Sequence, residues 1–428
     1  MMKIYRYGQT PLKDFFIRTV EKSGVADTVR SIIADVEQRG DEALFEYTRR
    51  FDGADLRALE VSREEIDAAY ERTDPEFLRV LEQAAENIRE YHLREMPEGF
   101  RIDRPDGSFL GLKVTPIENV GLCIPGHTAA YPSTVLMNAV PAKIAGCSQI
   151  VMVSPPGPDG KQPDAILAAA RIAGVDRVFR LGGAQGVAAL ACGTESVPKV
   201  DKIVGPGSAY VSEAKRQVFG RVDIDMIAGP SEILVIADET CDPALAAADL
   251  LSQAEHDVLA TAVLVTDSQA LAEAVRGEVE RQLCLLPREA IARQSVENNG
   301  KIIVTDDLLS AAEAANAIAP EHLEICVDDP ALFLDRVKNA GSVFLGKYCP
   351  EALGDYLAGP NHTLPTAGAA RFSSPLGVDD FVKKTQYTYF TPEALRAVSG
   401  DIALFARREG LEAHARSALA RFEKEVLG

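Results

Sequence analysis

Several things this 428-residue chain lacks narrow its class before anything it contains does. No Lys/Arg run is longer than a pair and the formal net charge is −19, which argues against nucleic acid or an anionic membrane as main partner. A small polar or cationic substrate suits that field better. No apolar run approaches the ~20 residues that span a bilayer, and the opening MMKIYRYGQT has no apolar leader core, so a cytoplasmic protein is expected. The seven cysteines (Cys123, Cys147, Cys192, Cys241, Cys284, Cys326, Cys349) are odd in number and never spaced C-x-x-C, which points to reduced thiols and away from a disulfide framework. The dinucleotide fingerprint G-x-G-x-x-G is also absent.

What is present reads as a globular α/β protein. A 46% hydrophobic and 25% charged composition supplies core for two or three domains. Residues 27–53 place apolar side chains at three-to-four spacing, interrupted at Gly40, and a second helical block covers 64–96. From about residue 103 the composition turns to Gly, Pro and short β-prone runs. Strand-like runs then follow (QIVMVSP, RVFRLGG, KIVGPG, ILVIAD, ATAVLVTD, KIIVTDD, LEICVDD, SVFLG), separated by helical ones such as TVLMNAVPAKIAG and SQALAEAVRGEVERQL. That alternation is the pattern of parallel sheets covered by helices, with strands enough for two sheets. A helical tail starts with Thr391 as N-cap and Pro392 in the first turn.

The chemistry-bearing candidates cluster around four of the six histidines. In DPALAAADLLSQAEHDV, Asp242 is a plausible N-cap and the helix is expected to run through Gln253 and His256, whose i, i+3 spacing is that of a helix supplying two metal ligands. A solvated helix C-terminus, comfortable for a histidine, explains the same residues. In APEHLE, Glu321 and His322 sit where an Ala-rich helix must stop at Pro320 and a strand begins; they suit two proton-transfer groups, or simply a polar strand boundary. Asp355, Asn361 and His362 lie on a segment broken by Gly359-Pro360, and Glu409 and His414 on the terminal helices, where a polar helix face is the simpler reading. Two histidines, a carboxylate and a neutral oxygen donor would suit zinc better than calcium or magnesium. Gly-rich strand-to-helix turns at 121–127, 180–186 and 202–210 offer close backbone approach and helix N-termini for phosphate, with Ser208 as a cap.

The stretches GDEALFEYTRRFDG (40–53), YPSTVLMNAVPAKIAG (131–146), GGAQGVAALACGTESVPKVDKIVGPG (182–207), EAKRQV (213–218), AGPSEILVIAD (228–238), LLSQAEHD (250–257), APEHLEI (319–325), GPNHTLPT (359–366), ARFSSPLGVDDF (370–381) and EGLEAH (409–414) resemble the histidinol dehydrogenase family, in order and from end to end. The resemblance implies oxidation of L-histidinol through L-histidinaldehyde to L-histidine with two NAD+, the last step of histidine biosynthesis, with one zinc per subunit. It implies Gln253, His256, Asp355 and His414 as zinc ligands, Glu321 and His322 as the acid/base pair, and Ser231, Gln253, His256, His322, Asp355, His362, Glu409 and His414 as substrate contacts. It also implies cofactor contacts at Cys123, Gln185 and Ser208. Where the family usually shows Tyr, Gly and Asn, this chain has Cys123, His127 and Ser208, and His127 is expected to fill space in a variant turn.

The fold expected from the family is two Rossmann-like, aldehyde-dehydrogenase-like parallel-sheet domains without the glycine fingerprint. Residues 1–122 and 231–374 would form the first, with helices at the N-terminus, and 123–230 the second, inserted domain. Residues 375–428 would be a helical tail swapped across a homodimer, so that His414 reaches the partner's site. A zinc hydrolase without cofactor, a paralogue for another amino alcohol and a non-catalytic binding module are the competing readings.

Overall fold

The computed structural model of the chain describes residues 1–9, 24–126 and 130–422, so the reading of His127 lies outside the described residues. The chain divides into a first unit, Met1–Met96 with Ile117–Phe381, and a second, Pro97–Pro116 with Val382–Gly428.

Two six-stranded sheets organise the first unit. One runs β2 (Glu60–Val61), β7 (Arg177–Arg180), β6 (Gln149–Ser154), β5 (Asn119–Cys123), β8 (Lys202–Val204), β9 (Asp223–Ile224), parallel except for the β2–β7 pair. The other runs β1 (Lys3–Arg6), β12 (Lys301–Val304), β11 (Thr261–Thr266), β10 (Glu232–Ala237), β13 (His322–Cys326), β14 (Ser342–Leu345), parallel throughout. Every residue of β10 and β13 is buried. A strand covered on both faces has no solvent side for polar residues, hence the apolar run Ile233–Ala237 of β10, whereas β13 carries His322 and Glu324 buried. In chain order both sheets read third, second, first, fourth, fifth across their central strands, the doubly wound order, with a switch point between first and fourth. These are β5 and β8 in one sheet and β10 and β13 in the other.

The strand-like runs from QIVMVSP to SVFLG all form strands, and the N-cap at Thr391 holds, its hydroxyl accepting from the Ala394 amide at 3.1 Å. The division differs from expectation. The helices Val25–Arg39 and Asp41–Tyr47 do not cover the first domain; Val29, Ile32, Val36 and Leu44 pack in one core with Val151, Phe179 and Leu190 of the β5–β9 layer. The break between them is fixed at Gly40 (φ +54°), where a Cβ would stand 2.3 Å from Glu195 Oε2. A boundary at 122/123 also cuts through β5.

The second unit begins with β3 (Phe100–Asp103) and β4 (Phe109–Pro116), to which β15 (Val382–Tyr389) adds in antiparallel register, followed by helices Pro392–Arg408 and Glu412–Leu419. Residues 375–381 stay with the first unit. The tail is therefore not purely helical: β15, VKKTQYTY, is largely exposed and lacks the apolar run that marks the buried strands.

Candidate active site

The amino end of β13 carries Glu321 and His322, both buried. The parallel register aligns Ile233 with His322, which brings the main chain of Glu232 alongside the pair. The Glu232 amide donates to Glu321 Oε2 at 2.8 Å, and His322 Nδ1 lies 2.9 Å from the Glu232 carbonyl oxygen. A carbonyl only accepts, so Nδ1 carries the ring proton and Nε2 is left with its lone pair. Among the described residues Nε2 has no hydrogen-bond partner; it faces Glu351 Oε1, also without one, at 3.7 Å. Burial pushes the imidazole down to about 4. Burial also raises the Glu321 carboxyl well above the ordinary range, the Glu232 amide opposing it. Ser231 precedes β10, half-buried, its carbonyl accepting from the Thr261 amide at 2.9 Å.

Glu351 was not foreseen, although its i, i+4 spacing from Asp355 on the helix Glu351–Tyr356 is a legible signal. Donor atoms of His322, Glu351 and Asp355 lie within 4.8 Å of one another. Burial, with the adjacent Asp355, lifts the Glu351 carboxyl to about 8, Gln253 and Ser252 opposing. Burial would raise Asp355 as well, but the His362 ring, 3.4 Å away, outweighs it and holds Asp355 down at about 2. His362 Nε2 is in turn 3.3 Å from Thr134 Oγ1, in the first turn of the helix that follows β5. Asn361 donates to the Met137 carbonyl of that helix at 2.7 Å. The helix carrying Glu351 and Asp355 is anchored from below, Glu324 Oε1 accepting from the Glu351 amide at 2.6 Å. Burial and its neighbour Asp249 push Glu324 up to about 10.

Gln253 is buried at the end of the helix Pro243–Ala254, whose N-cap Asp242 accepts from the Ala244 amide. The helix stops there, with Glu255 as its cap; His256 sits in the following turn, half-buried, its amide bonded to the Gln253 carbonyl at 3.1 Å. The helix thus ends short of His256, which the sequence pattern places inside it. The one-face spacing survives because that last bond is itself an i to i+3 turn.

His322, Glu351 and Asp355, with His322 Nε2 and Glu351 Oε1 left without hydrogen-bond partners among the described residues, form a donor group that fits a divalent cation. The group shares only Asp355 with the zinc ligands that the resemblance implies, Gln253, His256, Asp355 and His414.

Cys123, Gln185 and Ser208 all fall at the carboxyl edge of the β5–β8 sheet. Cys123 ends β5, Gln185 lies buried in the first turn of the helix Gly183–Cys192 after β7, and Ser208 is the N-cap position after β8. Ser208 was expected to cap with its hydroxyl, but its side chain makes no cap bond. Burial pushes the Cys123 thiol up to about 12, so it is a small neutral side chain here. Glu409 and His414 belong to the second unit, at the junction and start of its two helices, and both are exposed.

Residues 17–422 match the family model described as histidinol dehydrogenase. Histidinol dehydrogenase of Listeria monocytogenes serovar 1/2a is 53% identical over 401 residues, 94% of each chain. That of Clostridium acetobutylicum is 50% identical over 428 residues, 99% of each. Among solved structures, histidinol dehydrogenase from Elizabethkingia anophelis superposes with a TM-score of 0.94 at 37% identity, covering 99% of this chain and 98% of its own.

Proposed function

The chain belongs to the histidinol dehydrogenase family of oxidoreductases, and from that premise we propose that it oxidises L-histidinol through L-histidinaldehyde to L-histidine with two NAD+ and one zinc per subunit, as the last step of histidine biosynthesis. The observation that carries the reading is the orphaned Nε2 of His322 beside Glu321, both held by the main chain of one residue, Glu232.

Gln253, His256 and Asp355 would hold the zinc, with His414 of a partner subunit completing the set. Bound zinc would supply a template for the substrate's imidazole and amino nitrogens, and bound NAD+ an acceptor for hydride. His322 Nε2 takes the proton of the alcohol while its Nδ1–H stays on the Glu232 carbonyl, so ring orientation does not change as the base works. Glu321 would take a proton from the water that adds to the aldehyde; burial raises the proton affinity of its carboxylate, and the Glu232 amide on Oε2 opposes that rise. Ser231 and His362, with Glu409 of the partner subunit, would contact the substrate; His362, held by Asp355 and Thr134, presents a fixed ring.

Cys123, Gln185 and Ser208 would contact NAD+ at the β5/β8 switch point, where doubly wound sheets take their ligands. A homodimer is supported by the second unit itself: among the described residues its helices pack around the small side chains Ala403, Ala406 and Ala415 with Leu419, while Leu404 and Phe405 are 60% and 69% exposed. A cytoplasmic location follows as part of the same reading.

The test is histidinol-dependent NADH formation in the purified enzyme, two NADH per histidinol. Activity should vanish on exhaustive chelation and return with zinc; activity that persists in metal-free protein refutes the zinc assignment.

A further inference from the structure

We propose that the buried ion pair Lys215–Asp225 is a positioning device for the cofactor, clamping the Gly205 turn at the carboxyl end of β8 so that a dinucleotide can lie against it. The inference rests on the reading that the β5/β8 crevice takes NAD+.

Lys215 and Asp225 side chains are only 2% and 1% exposed, and they pair directly. Together they hold both main-chain polar groups of Gly205: Lys215 Nζ donates to its carbonyl at 2.9 Å, and its amide donates to Asp225 Oδ2 at 2.7 Å. Asp225 Oδ1 also accepts from the Met226 amide at 2.5 Å, so one carboxylate ties the turn after β8 to the chain leaving β9. Gly205 needs this hold. It lies at φ +106°, and a Cβ there would stand 2.2 Å from the Cys123 carbonyl oxygen, so the ends of β5 and β8 are pressed together at the switch point.

Burying two charges costs more than packing two apolar side chains of like volume, so stability does not account for the pair well. What the pair does, and an apolar pair would not, is satisfy an amide and a carbonyl that the left-handed turn takes out of the sheet ladder. The turn so fixed leads directly into Ser208, whose hydroxyl is not spent on capping, and the helix Ala209–Val218, which carries Lys215. A dinucleotide's pyrophosphate would meet amides whose direction the pair sets. Lys215 is thus a positioning residue, with no contact to the reacting atoms.

The test uses the full-length enzyme carrying Lys215→Met with Asp225→Leu, which removes both charges together, and Lys215→Arg alone, which keeps a charge but cannot reproduce the single-point donor. NAD+ affinity is measured by calorimetry, and KM for NAD+ and histidinol and saturating kcat by steady-state kinetics. Expected in the double variant is a rise of about tenfold or more in Kd and KM for NAD+, with KM for histidinol and saturating kcat within about twofold. Lys215→Arg should show the same split to a smaller degree, and decides the matter if the double variant does not fold. An unchanged Kd for NAD+, or an equal loss in all constants, overturns the proposal. If the unaltered enzyme binds no NAD+, the cofactor reading beneath it has failed instead.

Discussion

Replacing His322 by Asn isolates one proton transfer. The structure assigns Nδ1–H to the Glu232 carbonyl at 2.9 Å, a bond the Asn amide nitrogen, at the same distance along the side chain, can reproduce, so the local main chain should stay in place. What Asn lacks is the lone-pair nitrogen at Nε2, which has no other partner among the described residues. A positioned general base contributes roughly 10²- to 10⁴-fold, about 3–5 kcal/mol of barrier. The loss should fall on one stage only. Single-turnover NADH formation from histidinol is expected to slow by roughly 10²- to 10⁴-fold, whereas oxidation of supplied histidinaldehyde, which uses Glu321 on water, should change by less than about tenfold. Zinc content, read by mass spectrometry, should be unchanged, because His322 is not among Gln253, His256, Asp355 and His414. An equal fall in both stages, or zinc lost in proportion to activity, would show that the histidine holds the site together and does not move the proton.

Glu321→Gln should reverse the pattern, with histidinaldehyde trapped by a carbonyl reagent after one NADH is released; two NADH per turnover would remove Glu321 from the second stage. Gln253→Ala is expected to weaken both zinc retention and histidinol affinity, and a variant with full zinc and unaltered affinity would exclude the amide as a ligand. At the start of β12, burial and the neighbouring Lys3 pull the Lys301 ammonium down to about 8. A depressed cation penalises the folded state below that value and releases the penalty as pH rises toward the unfolded value near 10, so stability should climb between roughly pH 8 and 10. Lys301→Met should raise unfolding free energy at pH 7 by about 1–2 kcal/mol, after discounting for partial solvent screening, and flatten that climb. Denaturant curves at pH 7 and pH 10 that shift in parallel would contradict it.

Local chemistry carried much of this protein into its sequence. The unbroken apolar runs of β6, β10 and β11 exist because both faces of those strands are covered, and the caps Asp242 and Thr391 mark their helices because a helix start leaves amides to satisfy. The candidate residues stood out by type and spacing, and family resemblance ordered them into a ligand set and a proton-transfer pair. Left unread was everything that depends on which segments meet. The antiparallel sheet of β3, β4 and β15 joins residues as far apart as Phe109 and Tyr389 through a largely exposed strand with no apolar run, and the helices at 25–47 chose the β5–β9 core over the one expected of them. Glu351 became part of the site only when its helix was set against β13, and Lys215 and Asp225 became a clamp only when β8 and β9 lay side by side. Hydrophobic period and capping are properties of ten or fifteen consecutive residues; the burial that shifts a carboxyl or orphans an imidazole nitrogen comes from segments far apart in the chain, and tertiary structure alone decides it.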